Sequence, residues 1–301
     1  MTIKDYLSID IGGTQIKYAI INQQGQLSEK SKQMTPDNLT DFLTVIDSIV
    51  EKYHARVSGI AISCPGKVDS KDGVIYFGGS LPFLHELNLP NHIQSKFDLL
   101  ATVINDAKAA ALAELWQGNL KGIQNGLAMI LGTGVGGGII CDGALLQGQH
   151  FQAGELSFMT IPSETFSPQN LTGVYGSAVR MIEKIATVLE IEDTRNGVAV
   201  FEAINQKDSR IYSIFENYCL HIAYLVYNVQ AVIDMERVVI GGGISAQPIV
   251  LEEIKRQYNK ILNQLEFIKP MITPVDIQLC AMRNDANLLG ALYQLLVSEG
   301  R

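Results

Sequence analysis

Residues 6–21 read Tyr-Leu-Ser-Ile-Asp-Ile-Gly-Gly-Thr-Gln-Ile-Lys-Tyr-Ala-Ile-Ile, and the chain is organised around them. Leu7, Ile9 and Ile11 alternate with Tyr6, Ser8 and Asp10, the period of a strand with two distinct faces. Gly12-Gly13-Thr14 interrupts, and Ile16, Tyr18 and Ile20 resume the alternation, so the stretch predicts a hairpin. An ordinary tight hairpin would need the same glycines. The functional alternative is an anion cradle, because glycines let backbone N–H groups approach a phosphate closely. Thr14 would add a hydroxyl donor, and Asp10 would hold a cation or an ordered water.

A second copy favours the cradle. Residues 128–143, Ala-Met-Ile-Leu-Gly-Thr-Gly-Val-Gly-Gly-Gly-Ile-Ile-Cys-Asp-Gly, repeat the syntax of strand, Gly/Thr turn, strand and turn. Gly132, Gly134 and Gly137 also satisfy G-x-G-x-x-G, but a dinucleotide site needs a helix next. Ile139, Ile140 and Cys141 continue as a strand instead, and no Gly-x-x-x-x-Gly-Lys-Ser/Thr run occurs. Two phosphate-sized hairpins therefore suggest a duplicated α/β unit that grips one nucleotide.

With 301 residues and 47% hydrophobic content the chain can bury a large core, and two lobes are expected. A formal charge of −8 argues against nucleic acid or anionic membrane as a partner. Cys64, Cys141, Cys219 and Cys280 are scattered, without metal-ligand spacing, so reduced thiols are expected. Nothing basic and apolar precedes the first strand, so no signal peptide is expected. The apolar stretch 210–234 carries Glu216, Asn217, His221, Asn228 and Gln230, which suits a buried soluble helix and a cytoplasmic protein.

Further along, Thr35 reads as the N-cap of an amphipathic helix with Pro36 at its first position. A third strand is expected at about 26–33, a buried strand at 57–63, and a short hairpin with a loop over 67–80. Strand 101–104 delivers Asn105-Asp106 onto a helix over 107–117. Asp106 could simply cap that helix. Its position also suits a carboxylate that meets a substrate hydroxyl, kept ionised by the helix dipole. Helices are expected at about 173–189, 197–205, 208–234, 248–266 and 285–298, with a last strand at 275–280. Gly241-Gly242-Gly243 ends a strand ahead of a helix, where a turn merely needs room or where a ligand enters.

With these motifs the chain resembles the sugar-kinase/actin superfamily, and more narrowly the ROK family of bacterial sugar kinases and related repressors, from Asp10 to Ala291. The resemblance implies a two-lobed, duplicated actin-like ATPase (ribonuclease H-like) α/β fold with mixed sheets. The small lobe would be 1–116 plus 285–301, and the large lobe 117–284. It implies ATP-dependent phosphorylation of a hexose or hexose derivative at its 6-hydroxyl, with Mg²⁺ near Asp10. Gly12, Gly13, Thr14, Gly132, Thr133 and Gly134 would hold phosphates, and Gly241, Gly242 and Gly243 would admit the nucleoside. Asp106 would be the catalytic base, with Gly66, Ser80, Asn105, Glu155 and Phe158 around the sugar.

Two departures from the family pattern bear on the sugar. Phe158 replaces the histidine usual after Gly-Glu-x-Gly, and Ser80 stands where an asparagine often precedes Leu-Pro. The family's zinc motif is also missing, where the chain runs Pro162-Ser163-Glu164-Thr165-Phe166-Ser167, so no zinc site is expected. These features are similar to the zinc-less branch with β-glucoside kinases, and imply a β-glucoside as substrate. Glucokinase or N-acetylmannosamine kinase activity is the alternative within the class. A sugar-sensing repressor or a silent sugar-binding protein is the alternative outside it. The family's habit is a homodimer.

Overall fold

The computed structural model describes residues 4–161 and 164–300. Pro162 and Ser163, which open the stretch lacking the zinc motif, lie outside the described residues. The chain divides into two compact units. The first comprises the chain up to Lys121, Leu145–Ala153 and the chain from Met282 onward; the second comprises Gly122–Ala144 and Gly154–Ala281.

The first unit opens with β1 (Asp5–Ile11), β2 (Gln15–Asn22) and β3 (Leu27–Met34), followed by α1 (Leu39–Tyr53) and β4 (Ile60–Cys64). A small antiparallel sheet follows, formed by β5 (Lys67–Asp69), β6 (Val74–Tyr76) and β7 (Leu87–Asn88). Then come α2 (Leu89–Phe97), β8 (Ala101–Asn105) and α3 (Asp106–Gln117). The second unit carries β9 (Gly126–Leu131), β10 (Val135–Cys141), β11 (Ala144–Leu145, at its boundary), α4 (Thr172–Tyr175), α5 (Ala178–Val188) and α6 (Gly197–Asn205). It continues through α7 (Tyr212–Ile233), β12 (Arg237–Gly241), α8 (Pro248–Gln264) and β13 (Asp276–Leu279). The C-terminal helix α9 (Ala286–Ser298) returns to the first unit.

The duplication is explicit in the sheets. Their strand orders are β3-β2-β1-β4-β8 and β11-β10-β9-β12-β13. In each, the first hairpin is antiparallel, its leading strand pairs in parallel with the next strand, and that strand pairs in parallel with the last. β4 is buried along its whole length, as expected of a central parallel strand. β3 is exposed along nearly all its residues and forms an edge, with Lys30 and Lys32 on it. Each unit has its own apolar core: Leu7, Ile9, Phe42, Ile46 and Ile62 lie in the first, and Leu127, Met129, Phe215, Ile222 and Val238 in the second. Among the described residues no helix is long and apolar enough to cross a membrane.

Three local expectations are corrected. Thr35 does not cap α1; Asn38 does, its side chain accepting from the Asp41 N–H. The helix expected at 173–189 is broken between α4 and α5. A Cβ on Gly176 would lie 2.7 Å from the Thr172 carbonyl oxygen, and Ser177 caps α5 by accepting from the Arg180 N–H. Segment 145–153, expected with the large lobe, packs with the first unit. Gln147 Nε2 donates to Ser70 Oγ at 2.9 Å, and the buried Lys108 Nζ donates to the Phe151 carbonyl at 2.6 Å. Long-range polar bonds of this kind leave no periodic trace in sequence.

Candidate active site

In the first unit the parallel strands β1, β4 and β8 end side by side, at the edge where α/β sheets bind ligands. Asp10 is opposite Ser63, and Cys64 is opposite Asn105. Asp10 is only 7% exposed, and its Oδ1 accepts from Ser63 Oγ at 2.5 Å and from Asn287 Nδ2 at 3.0 Å. Its Oδ2 faces Lys17 Nζ at 3.8 Å, beyond hydrogen-bond length, and so keeps accepting capacity. Burial drives the Cys64 thiol pKa well up, and the negative charges of Asp106 and Asp10 push it further.

The Gly12-Gly13-Thr14 turn leaves Gly13 and Thr14 exposed. It is pinned from behind, where Thr35 Oγ1 donates to the Gly12 carbonyl at 2.7 Å and the Thr35 N–H to the Thr14 carbonyl at 3.0 Å. Thr35 is thus a strut of the turn, a role that its Thr-Pro-Asp context disguised as a helix cap. Gly13 lies close to Ser80: a Cβ there would lie 2.4 Å from Ser80 Oγ. Ser80 therefore sits against the turn.

At the end of β8 the capping role belongs to Asn105, not Asp106. Asn105 Oδ1 accepts from the N–H groups of Ala107 at 3.0 Å and Lys108 at 3.1 Å, while its Nδ2 donates to the Gly66 carbonyl at 2.9 Å. Asp106 is the first residue of α3, partly exposed, with Oδ1 accepting from the Ala107 N–H at 2.8 Å. Gly66 needs its glycine, because φ is +94° and a Cβ would lie 2.3 Å from the Phe77 carbonyl. Asp10, Gly12–Thr14, Gly66, Ser80, Asn105 and Asp106 are thereby brought to one edge of the first unit. A second Asn-Asp pair, Asn284-Asp285, precedes the C-terminal helix, and there Asp285 is ion-paired with Lys30 at 2.6 Å.

The second unit builds a matching edge. β9 and β12 run parallel and end in Gly132-Thr133-Gly134 and Gly241-Gly242-Gly243. At Gly242 φ is +95° and a Cβ would lie 2.0 Å from the Leu131 carbonyl, so the two glycine turns pack backbone to backbone. The N-terminus of α5 abuts the first of them, the Ala178 N–H donating to the Gly132 carbonyl at 3.0 Å. A helix start directed there favours negative charge, and Ser177, its cap, escaped the sequence reading. Ser157 Oγ accepts from the Val135 N–H at 3.0 Å and ties the segment that carries Glu155 and Phe158 to the same turn. Glu155 is partly exposed just before a 3₁₀ turn, Leu156–Phe158, on which Phe158 is 64% exposed. Among the described residues no group of three or more His, Cys, Asp or Glu is placed to hold a metal ion.

The model of the ROK family matches residues 6–297. The chain belongs to the ROK family. It is 28% identical to the β-glucoside kinase of Listeria innocua over 98% of each chain. It is also 28% identical to the glucokinase of Halalkalibacterium halodurans, over 96% of this chain and 94% of that protein. Among solved structures, a ROK family protein from Streptococcus pneumoniae in complex with sucrose superposes with a TM-score of 0.86 at 29% identity, covering 98% of this chain and 99% of that one. The duplicated α/β unit expected from the two hairpins, and the two-lobed α/β fold that the resemblance implied, are what the structure has.

Proposed function

We propose that the protein is an ATP-dependent sugar kinase that phosphorylates the 6-hydroxyl of a hexose or hexose derivative, with a β-glucoside as its preferred acceptor. The observation that carries the reading is the convergence of Asp10, the Gly12–Thr14 turn and Asp106 on one sheet edge. A phosphate cradle and a general base are what phosphoryl transfer to an alcohol needs, since catalysis there is positioning and charge neutralisation. The backbone N–H groups of Gly12–Thr14 and Gly132–Gly134 hold phosphate oxygens, and Gly241–Gly243 make room for the nucleoside. Gly66, Ser80, Asn105, Glu155 and Phe158 orient the sugar. Asp106 accepts the hydroxyl proton as the oxygen attacks the γ-phosphorus and the bond to ADP breaks.

The donor set suits a hydrated Mg²⁺, because Asp10 Oδ2, 3.8 Å from Lys17 Nζ, keeps accepting capacity. Bound there, the ion supplies charge neutralisation of the phosphates. The reading includes a cytoplasmic homodimer and no zinc requirement. The names of the relatives, β-glucoside kinase and glucokinase, support the acceptor class, and the apolar ring of Phe158 favours a substituted sugar over a hydroxyl contact.

The test is kcat/KM for cellobiose, gentiobiose, glucose and N-acetylmannosamine at fixed ATP, after chelation and Mg²⁺ add-back. A β-glucoside is expected to lead, with activity restored by Mg²⁺ alone. Preference for glucose or N-acetylmannosamine by about tenfold, some 1.4 kcal/mol of transition-state binding, would contradict the acceptor assignment.

A further inference from the structure

Phe77 holds a conformation that its chemistry opposes. Its φ is +51°, in the left-handed region that bulky residues avoid, yet its side chain is 70% exposed. Burial therefore does not offset the backbone strain, and strain kept at a residue that the core does not need marks functional positions. Phe166 and Phe267 are as exposed, but neither has a positive φ.

The ring is also braced. It stacks on the His85 imidazole with centroids 4.4 Å apart and planes at 19°, while the Phe77 N–H donates to His85 Nδ1 at 3.4 Å. One face is thus covered by His85, and the exposure belongs to the other. The Phe77 backbone adjoins Gly66, whose carbonyl holds the Asn105 amide beside Asp106. Three residues on, Ser80 touches the Gly12–Thr14 turn. A flat, immobilised apolar face rises from the loop that joins the phosphate cradle to the sugar residues.

We propose that the Phe77–His85 stack is a shelf for a second sugar ring, on which the apolar face of a glycoside's further pyranose unit packs. This rests on the sugar-kinase reading above and deepens it to a specificity determinant. Aromatic rings offer a rigid apolar surface at little cost in side-chain entropy, and an axial-hydrogen face of a pyranose is apolar. A single hexose held at Asn105 and Asp106 has no second ring to place there.

The experiment compares kcat/KM for cellobiose and glucose in the wild type, Phe77→Ala, Phe77→Gly and Phe77→Trp. The glycine variant adopts a positive φ freely, so it serves if the alanine variant folds poorly. The cellobiose-to-glucose ratio is expected to fall about fivefold to tenfold without the ring, through KM more than kcat, and to be kept by Trp. An unchanged ratio, or an equal loss for both sugars, overturns the shelf while leaving the kinase reading intact.

A second measurement does not depend on turnover. Trp116 is the single native tryptophan, so Trp emission added by Phe77→Trp reports the shelf. Cellobiose should shift it, and glucose should shift it less. Equal shifts, or none at saturating cellobiose, overturn the shelf even if the wild type phosphorylates neither sugar, a result that would by itself count against the β-glucoside assignment and not against the shelf.

Discussion

Asn105 ties together the edge of the first unit that carries the candidate site, and its replacement by alanine tests that geometry quantitatively. The side chain is 8% exposed and makes three hydrogen bonds, two as the cap of α3 and one to the Gly66 carbonyl. Loss of an N-cap costs about 1 kcal/mol. Loss of the bond to Gly66 leaves a carbonyl short of a partner and costs about 1 kcal/mol more. Asn105→Ala should therefore lose about 2 kcal/mol, a drop in Tm of about 4–8 °C for a unit of this size. Asn105→Ser keeps an oxygen that can cap but no amide to reach Gly66, and should lose about half as much.

Urea unfolding followed by Trp116 fluorescence reads this unit in particular, because Trp116 on α3 stacks on Tyr293 of α9 at 5.4 Å and 12°. If Asn105→Ala lies within about 0.5 kcal/mol of the wild type, or the serine variant costs as much as the alanine one, the assignment of the cap and the Gly66 link is wrong.

Two further outcomes concern thiols and pH. Cys64 and Cys219 are buried with their thiols pushed well above the ordinary range by burial, whereas Cys141 and Cys280 are partly exposed. A thiol reagent at pH 8 should therefore modify at most two of the four cysteines quickly in the folded protein and all four in urea. Fast labelling of Cys64, identified by mass spectrometry, would count against the packing of β4. His221 has its pKa lowered from 6.5 by burial. Above pH 6.5 both states are neutral there; below it the unfolded chain protonates first, so stability falls as the pH drops from 6.5 towards the folded value. The acid side of the stability profile should be shallower in His221→Phe, and an identical profile would refute the contribution.

Much of the architecture was legible because it is written in local periodicity. The two strand–Gly/Thr–strand hairpins, the strand ending at Gly241 and the helix at 197–205 all appear where alternation and glycines put them. What escaped depends on partners far away in sequence. Thr35 looked like a cap because Pro and Asp follow it, but its hydroxyl bonds Gly12, 23 residues earlier. Asn105 and Asp106 are both good caps, and the bond to Gly66 settles which of them serves. At the break before Ser177, Gly176 packs where a Cβ would meet the Thr172 carbonyl and Val135 on β10, and the contact with Val135, distant in the chain, has no local signal in sequence. The contrast between Phe77 and other exposed phenylalanines is likewise a backbone angle, invisible to composition.

The most direct measurement of the account is single-turnover phosphate transfer by Asp106→Asn and Asp285→Asn, with product followed by ³¹P NMR. Asp106 stands at the edge shared with Asp10 and the Gly12–Thr14 turn, whereas Asp285 is bound to Lys30. Because Asn105 carries the cap, Asp106→Asn should fold and bind ATP normally. Its transfer of the γ-phosphoryl group to a hexose 6-hydroxyl should nonetheless slow by about 10²-fold or more, the scale of a general base. Asp285→Asn should stay within a few-fold of the wild type. Equal losses in the two variants, or full transfer by Asp106→Asn, would contradict the assignment of Asp106 as the base.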